Sequence, residues 1–311
     1  MTYAQAGLIQ VTDYNNFLNG SNQLNTVWST GSGNAGYGQT ALTTKSVGNT
    51  ITATEWASLI NSLNSILTHQ SGTGSGITAV TSGARIDYLS TLASSINTAY
   101  TNRLTFNSQG STTTQSPVTT STLNVSGATA QTLTITRTAT FASGDAARYF
   151  FNAGGQLNLV LAAGTNVGGQ GRGAGLLTMA AAAGGVTAFR AASNGGRTGS
   201  GQTQNTNNTS LGYYNLTTSN QTIVSLTAAA SPYTAYPSDT ITIVAKSNGV
   251  QGANADVGSV ITFIITLTSA AQATLDGGYN DSINISIPSR IDVVYPESTN
   301  LTDTWGTVTI G

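Results

Sequence analysis

The sequence predicts an α+β protein, with a helical N-terminal third followed by a mainly antiparallel β-sandwich or jelly-roll region. Three observations predict it. Apolar residues recur at helical spacing as far as residue 103. A polar, low-complexity stretch over 107–117 (NSQGSTTTQSP) then ends that pattern. Beyond it the apolar period drops to two, and Gly, Pro, Asn and Asp punctuate short runs. The implied division is a helical docking or oligomerisation region over 1–106, a linker over 107–117 and a β domain over 118–311.

The elements follow in order. Thr12-Asp13 is placed to cap a helix carrying Tyr14, Phe17, Leu18, Leu24, Val27 and Trp28, which Gly20 weakens. The glycine-rich run 31–38 must be a loop. Thr52 and Glu55 have capping-box spacing, with the Thr hydroxyl accepting from the N3 amide and the Glu carboxylate from the cap amide. Trp56, Leu59, Ile60, Leu63, Ile66 and Leu67 form the stripe of this second helix, which ends in the glycine run after His69. A third helix is predicted over 84–103 on Ile86, Leu89, Leu92, Ile96 and Tyr100.

In 131–141, Leu133, Ile135, Ala139 and Phe141 share one face and Thr132, Thr134, Thr136, Thr138 and Thr140 the other. Arg137 interrupts the apolar face, which points to an edge or an interface. Further strands are predicted over 148–152, 156–161, 186–190, 211–216, 222–227, 240–246, 259–268, 282–287, 290–295 and 306–310. Two stretches, 164–175 and 191–210, read as loops at the surface or between subunits.

Composition narrows the function. Only 7% of 311 residues are charged, the formal net charge is −1, and there is one His and no Cys. A near-neutral chain has little colloidal repulsion and tends to associate. Its Lys and Arg are scattered, which argues against nucleic-acid binding. No run reaches the length of a membrane span. The opening MTYAQA lacks a basic region and an apolar core, so no secretory signal is expected there.

The chemistry-bearing residues are few. His69 is the one possible histidine of a catalytic triad, but its place at a helix C-terminus already suits a partly protonated imidazole. A multi-histidine or thiolate metal site is ruled out by composition. Glu55 is used by its cap, while Asp239 and Asp276 look like turn residues. Asp276 and Asp281 bracket Gly-Gly-Tyr-Asn without the alternating acids of a calcium loop. Gly171, Gly173 and Gly175 miss the dinucleotide spacing, and no acid lies between Asp145 and Asp239. Aromatic clusters at Tyr149-Phe150-Phe151, Tyr213-Tyr214, Tyr233 with Tyr236, and Tyr279 suit the core, an interface or stacking on a sugar. No catalytic, cofactor-binding or metal-binding residue is assigned, and the chain is read as a non-enzyme.

Four stretches resemble virion structural proteins of tailed bacteriophages, of the tail, neck and fibre type found in marine and cyanobacterial phages. They are Gly7-Leu8-Ile9-Gln10 with Asp13-Tyr14-Asn15; Trp28 with Gly36-Tyr37-Gly38-Gln39; residues 51–61 (ITATEWASLIN) with His69-Gln70; and residues 147–155 (ARYFFNAGG). The resemblance implies an oligomeric virion component, assembled in the host bacterial cytoplasm. Its partners would be further copies of itself and other proteins of the neck, tail or capsid. A glycan-binding fibre module and a capsid decoration protein are the alternatives, and a depolymerase ranks below both.

Overall fold

In a computed structural model, the structure describes residues 10–116, 118–127, 129–167, 171–229, 238–251, 257–271 and 282–311. It is α+β, and its paired strands are antiparallel.

Four helices fill the first third. Where one helix was predicted around Tyr14–Trp28 there are two, α1 (Val11–Leu18) and α2 (Leu24–Trp28). Gly20, at φ +142°, breaks them apart. Asp13 accepts from the Gln10 amide at 2.9 Å, so the cap lies slightly before the predicted one. In α3 (Ala53–Ser71) both halves of the capping box form: the Glu55 amide donates to Thr52 Oγ1 at 3.3 Å and the Thr52 amide to Glu55 Oε2 at 2.9 Å. Gly72 ends it at φ +80°, the left-handed conformation that glycine adopts without strain. The predicted stripe of α3 is buried throughout. Helix α4 (Leu89–Thr101) is shorter than predicted, and Ile86 precedes it while still packing on the core.

The stretch read as a linker contains β1 (Gln109–Thr114), all of whose residues are exposed. No apolar alternation marks it, so only its backbone pairing reveals a strand. It continues through β2 (Thr119–Val125) to β3 (Gln131–Thr140), whose apolar face is buried as predicted.

Helices are not confined to the first third. Residues 148–152, predicted as a strand, belong to α5 (Gly144–Asn152). Ser143 caps it by accepting from the Ala146 amide at 3.0 Å, and Asp145 sits in its first turn. The aromatic run favours strand by propensity, but this cap and tertiary burial decide for helix. Alternation would send one of Phe150 and Phe151 inward; in a helix within the core both are buried. Likewise α6 (Arg172–Ala183) starts inside the predicted 164–175 loop, because its glycine-rich first turn hides an Ala-rich body.

The remaining strands are β4 (Gln156–Leu161), β5 (Thr165–Asn166), β6 (Gly185–Phe189), β7 (Thr203–Asn207), β8 (Gln221–Thr227), β9 (Thr240–Ser247), β10 (Val260–Ser269), β11 (Ile283–Pro296) and β12 (Thr309–Ile310). Strand β7 lies within the predicted 191–210 loop. Residues 211–216, predicted as a strand, instead hold a 3₁₀ turn at Tyr213–Asn215. The predicted strands at 282–287 and 290–295 are one long strand, β11. Pro288 is tolerated in it because β4 pairs from Ser289 onward and β5 pairs at Ile285 and Ser286, so Pro288 falls between them.

The strands make two six-stranded sheets. The first runs β1-β11-β4-β6, with β2 and β5 also paired to β11; the second runs β12-β3-β10-β9-β8-β7. Their inner faces meet in a sandwich-like way. Phe189 on β6 packs edge-on against Phe263 on β10, with centroids 5.3 Å apart. Helix α6 packs on strands of both sheets, and its Leu176, Met179 and Ala180 are buried.

Candidate functional site

The seam between the helical third and the β region holds a connected set of buried polar side chains. The end of α3 supplies His69 and Gln70, the glycine loop supplies Tyr37, and the segment after β11 supplies Glu297. His69 Nδ1 lies 2.8 Å from Glu297 Oε1. Oε2 of that carboxylate accepts from the Thr299 and Asn300 amides at 2.7 and 3.2 Å, and Asn300 Nδ2 donates to Oε1 at 3.0 Å. Burial pushes the Glu297 carboxyl up, but the donors from His69, Asn300 and Thr299 outweigh it and leave it below the usual range. Burial also pushes the His69 imidazole down, against the pull of Glu297.

His69 was expected to serve the helix dipole as a partly protonated imidazole. Instead it is 1% exposed and held toward its neutral form, because desolvation exceeds what a helix end can return. The Tyr37 ring stands edge-on to it, 5.3 Å away. The Tyr37 hydroxyl donates to the Arg103 carbonyl at 2.9 Å and accepts from Gln70 Nε2 at 3.0 Å. Gln39 closes the lower side: its Nε2 donates to the Thr302 carbonyl at 2.8 Å, and its Oε1 accepts from the Thr302 amide at 3.0 Å.

A second set of bonds clasps the same glycine loop from α5. Arg148 donates to the Ala35 carbonyl at 2.8 Å, and Asn152 to the Gly36 carbonyl at 3.0 Å. The Tyr214 hydroxyl lies 2.8 Å from the Gly33 carbonyl and 2.6 Å from Asn152 Oδ1.

A carboxylate–imidazole pair is the orienting half of a hydrolytic triad. Here Nε2 has no well-formed hydrogen bond, and the His69 side chain is fully enclosed. The arrangement fixes one part of the chain to another and offers no approach to a substrate. Among the described residues no group of three His, Cys, Asp or Glu could hold a metal ion. No described helix is long and apolar enough to cross a membrane.

Two buried arginines serve the sheets. Arg137 reaches from β3 across the sandwich, donating to the Thr119 carbonyl at 3.2 Å and the Ser289 carbonyl at 3.4 Å. That accounts for a cation on an apolar face: it joins the two sheets. Arg172, at the start of α6, donates to the carbonyls of Gly127, Thr129 and Ala270 at 2.7, 2.9 and 3.0 Å and to Ser269 Oγ at 3.0 Å. Asp239, expected to be a turn residue, is fully buried near it. One of its oxygens accepts from the Ala270 amide at 3.1 Å and the other has no partner. Burial raises its carboxyl to about 6, against the pull of the Ala270 amide, Ser269 and Arg172.

The described aromatic clusters face inward. Tyr213 is buried and stacks on Phe151 at 4.5 Å, and Tyr149 is buried under the Arg148 guanidinium. Tyr233, Tyr236, Tyr279, Asp256, Asp276 and Asp281 lie outside the described residues, as does the 7–9 part of the first resembling stretch.

The outer face of the second sheet is of another kind. Thr132, Thr268, Thr240, Thr227 and Thr203 pair across β3, β10, β9, β8 and β7 in one row. Thr134, Thr266, Thr242, Ser225 and Thr206 make the next row on the same strands. Alternation in one strand foretold part of this face; the array itself needed the register of five strands.

Comparison with protein-family models, curated proteins and solved structures returned no match.

Proposed function

We propose that the chain is a non-enzymatic structural component of a tailed-phage virion, a neck- or tail-associated fibre or appendage that assembles as a homo-oligomer. The observation that carries this reading is the double row of hydroxyls across the second sheet, a broad outer face with hardly any charge. Ordinary solvated sheet faces intersperse charges of both signs. A Thr array gives donors, acceptors and methyls that can be matched by another protein surface. In this reading the two sheets form the β-sandwich module, α1–α4 form the docking region, and the His69–Glu297 seam holds the two in one orientation. The partners are further copies and neighbouring virion proteins, and the place of residence is the virion.

The charged residues support the same reading, since most serve the fold. Lys45 pairs with Glu55, Arg148 with Asp145 at 2.9 Å, and Arg290 with Asp292 at 2.8 Å. Of the tyrosines that a glycan-binding module could use for stacking, Tyr149 and Tyr213 are taken up by the core. Antibody labelling of purified virions, viewed by electron microscopy, tests the proposal. Label at the neck or tail is expected. Label over the capsid face would move the chain to a decoration role, and unlabelled virions would overturn the reading.

A further inference from the structure

The four lateral edges of the two sheets are treated differently. At β6, the Thr187 amide donates to the Gly196 carbonyl at 3.0 Å and the Gly195 amide to the Thr187 carbonyl at 2.7 Å, so residues 195–197 cover that edge. Strand β7 is broken by a register shift between Gln204 and Thr206. The edge beyond β3 is partly closed by β12 and by a reciprocal pair of bonds between Thr138 and Gly311 at 2.9 and 3.0 Å. Covering, bulging and shortening are the usual ways of blocking an edge.

Among the described residues strand β2 has none of these devices, and the one side chain the hydrogen bonds bring to its backbone is Arg137, at the Thr119 carbonyl at one end of the strand. Its pairing with β11 runs without a shift from Val125↔Ile283 to Thr119↔Ser289. No charged residue occurs between Arg103 and Arg137, so no lysine guards it. Neither β1 nor β2 contains a proline. The outer residues Thr120, Thr122 and Asn124 are exposed, while Ser121, Leu123 and Val125 on the inner side are only half-buried. The inner side therefore lacks part of its cover.

From this we infer that β2 is a self-pairing edge, where two copies of the chain join their first sheets antiparallel about a two-fold axis near Thr122. The occupant is a second copy because the strand is complementary to itself. A two-fold at Thr122 sets Ser121 against Leu123 and Thr119 against Val125, and Thr120 against Asn124 on the outer side. Every pair keeps its face, as strand periodicity requires. The inner pairs then cover the half-buried Leu123 and Val125, and no like charges meet. An isologous contact of this type closes at a dimer. It rests on the assembly reading above and gives that reading a specific surface.

The test uses the full chain. Sedimentation across a concentration series gives the oligomeric state of the wild type, of T120K/T122K on the β2 edge, and of T134K on the Thr array. The three altered residues are exposed, and circular dichroism checks that each variant is folded. The wild type is expected to self-associate, with T120K/T122K raising the midpoint concentration about tenfold or more. Hydrogen exchange is expected to slow over 119–125 as the wild-type concentration rises. Self-association unaltered by T120K/T122K, with no slowing at 119–125, would overturn the edge inference and leave the assembly reading standing. A wild type that stays monomeric at every concentration would overturn both.

Discussion

His69 Nδ1 and Glu297 Oε1 stand 2.8 Å apart, although 228 positions separate them in the chain. That bond fastens the last turn of α3 to the segment after β11. Glu297→Ala would leave the imidazole and two backbone amides without their acceptor. Leaving buried donors of this neutral kind unsatisfied costs about 1–3 kcal/mol. Urea unfolding is expected to show a loss of that size. Glu297→Gln, which keeps an acceptor, is expected to lose less than half of it.

The same pair sets a pH dependence. The native state holds His69 below its ordinary value of 6.5, so protons are taken up more readily on unfolding. The pair's contribution to stability therefore falls as pH drops through 6.5, and the lowered carboxyl of Glu297 extends that loss to lower pH. His69→Gln is expected to flatten the upper part of that slope. Unfolding midpoints from pH 7.5 down to 5 measure it, and an unchanged slope would count against a buried neutral imidazole.

Asp239 works in the opposite direction. Its carboxyl is raised from 3.8 to about 6, so the native state binds its proton more tightly than the unfolded chain. The resulting stability is present below pH 4 and lost as pH rises through 6, on the order of 3 kcal/mol. Asp239→Asn mimics the protonated form. The difference between variant and wild type is expected to move in the variant's favour from pH 4 to 6.5, which thermal melts at fixed ionic strength would record.

Arg172 joins Gly127, Thr129, Ser269 and Ala270 through one guanidinium. Lysine keeps the charge but lacks the planar fork, and cannot reach several acceptors at once. Arg172→Lys is expected to cost about 2–4 kcal/mol in urea unfolding, since buried carbonyls are left unpaired. A loss under about 1 kcal/mol would mean that water replaces the fork.

Gly36 has φ +97°, and a Cβ there would come 2.3 Å from the Thr30 carbonyl oxygen. That neighbour is backbone and cannot turn away. Gly36→Ala is expected to lower stability by about 2 kcal/mol or more. It should also speed hydrogen exchange at Tyr37 and Gly38, whose amides bond Val27 and Ser29 at 2.8 and 2.9 Å.

Elements with a local signal were legible in the sequence. Thr52, Glu55 and the stripe of α3 specify a capped helix by themselves, and 131–140 specifies a strand by alternation. Strand β1 carries no such signal, because QGSTTT is polar on both faces and is a strand only against β11. The 148–152 run has strand propensity and helical burial, and packing around Phe150 and Phe151 settled it. Helix α6 was hidden by its glycines.

The sequence by itself determined the class of the fold, the scarcity of charge and the capped α3, all of which rest on composition or on neighbours a few residues apart. Only the tertiary structure decided what the scarce charges do. His69 meets Glu297, Arg137 bridges two sheets, Arg172 ties the 127–129 segment to Ser269 and Ala270, and Thr132 and Thr203 end one row of hydroxyls. Each joins strands or loops far apart in the chain, and such pairings follow from the register and packing of whole sheets, which no local window of sequence contains.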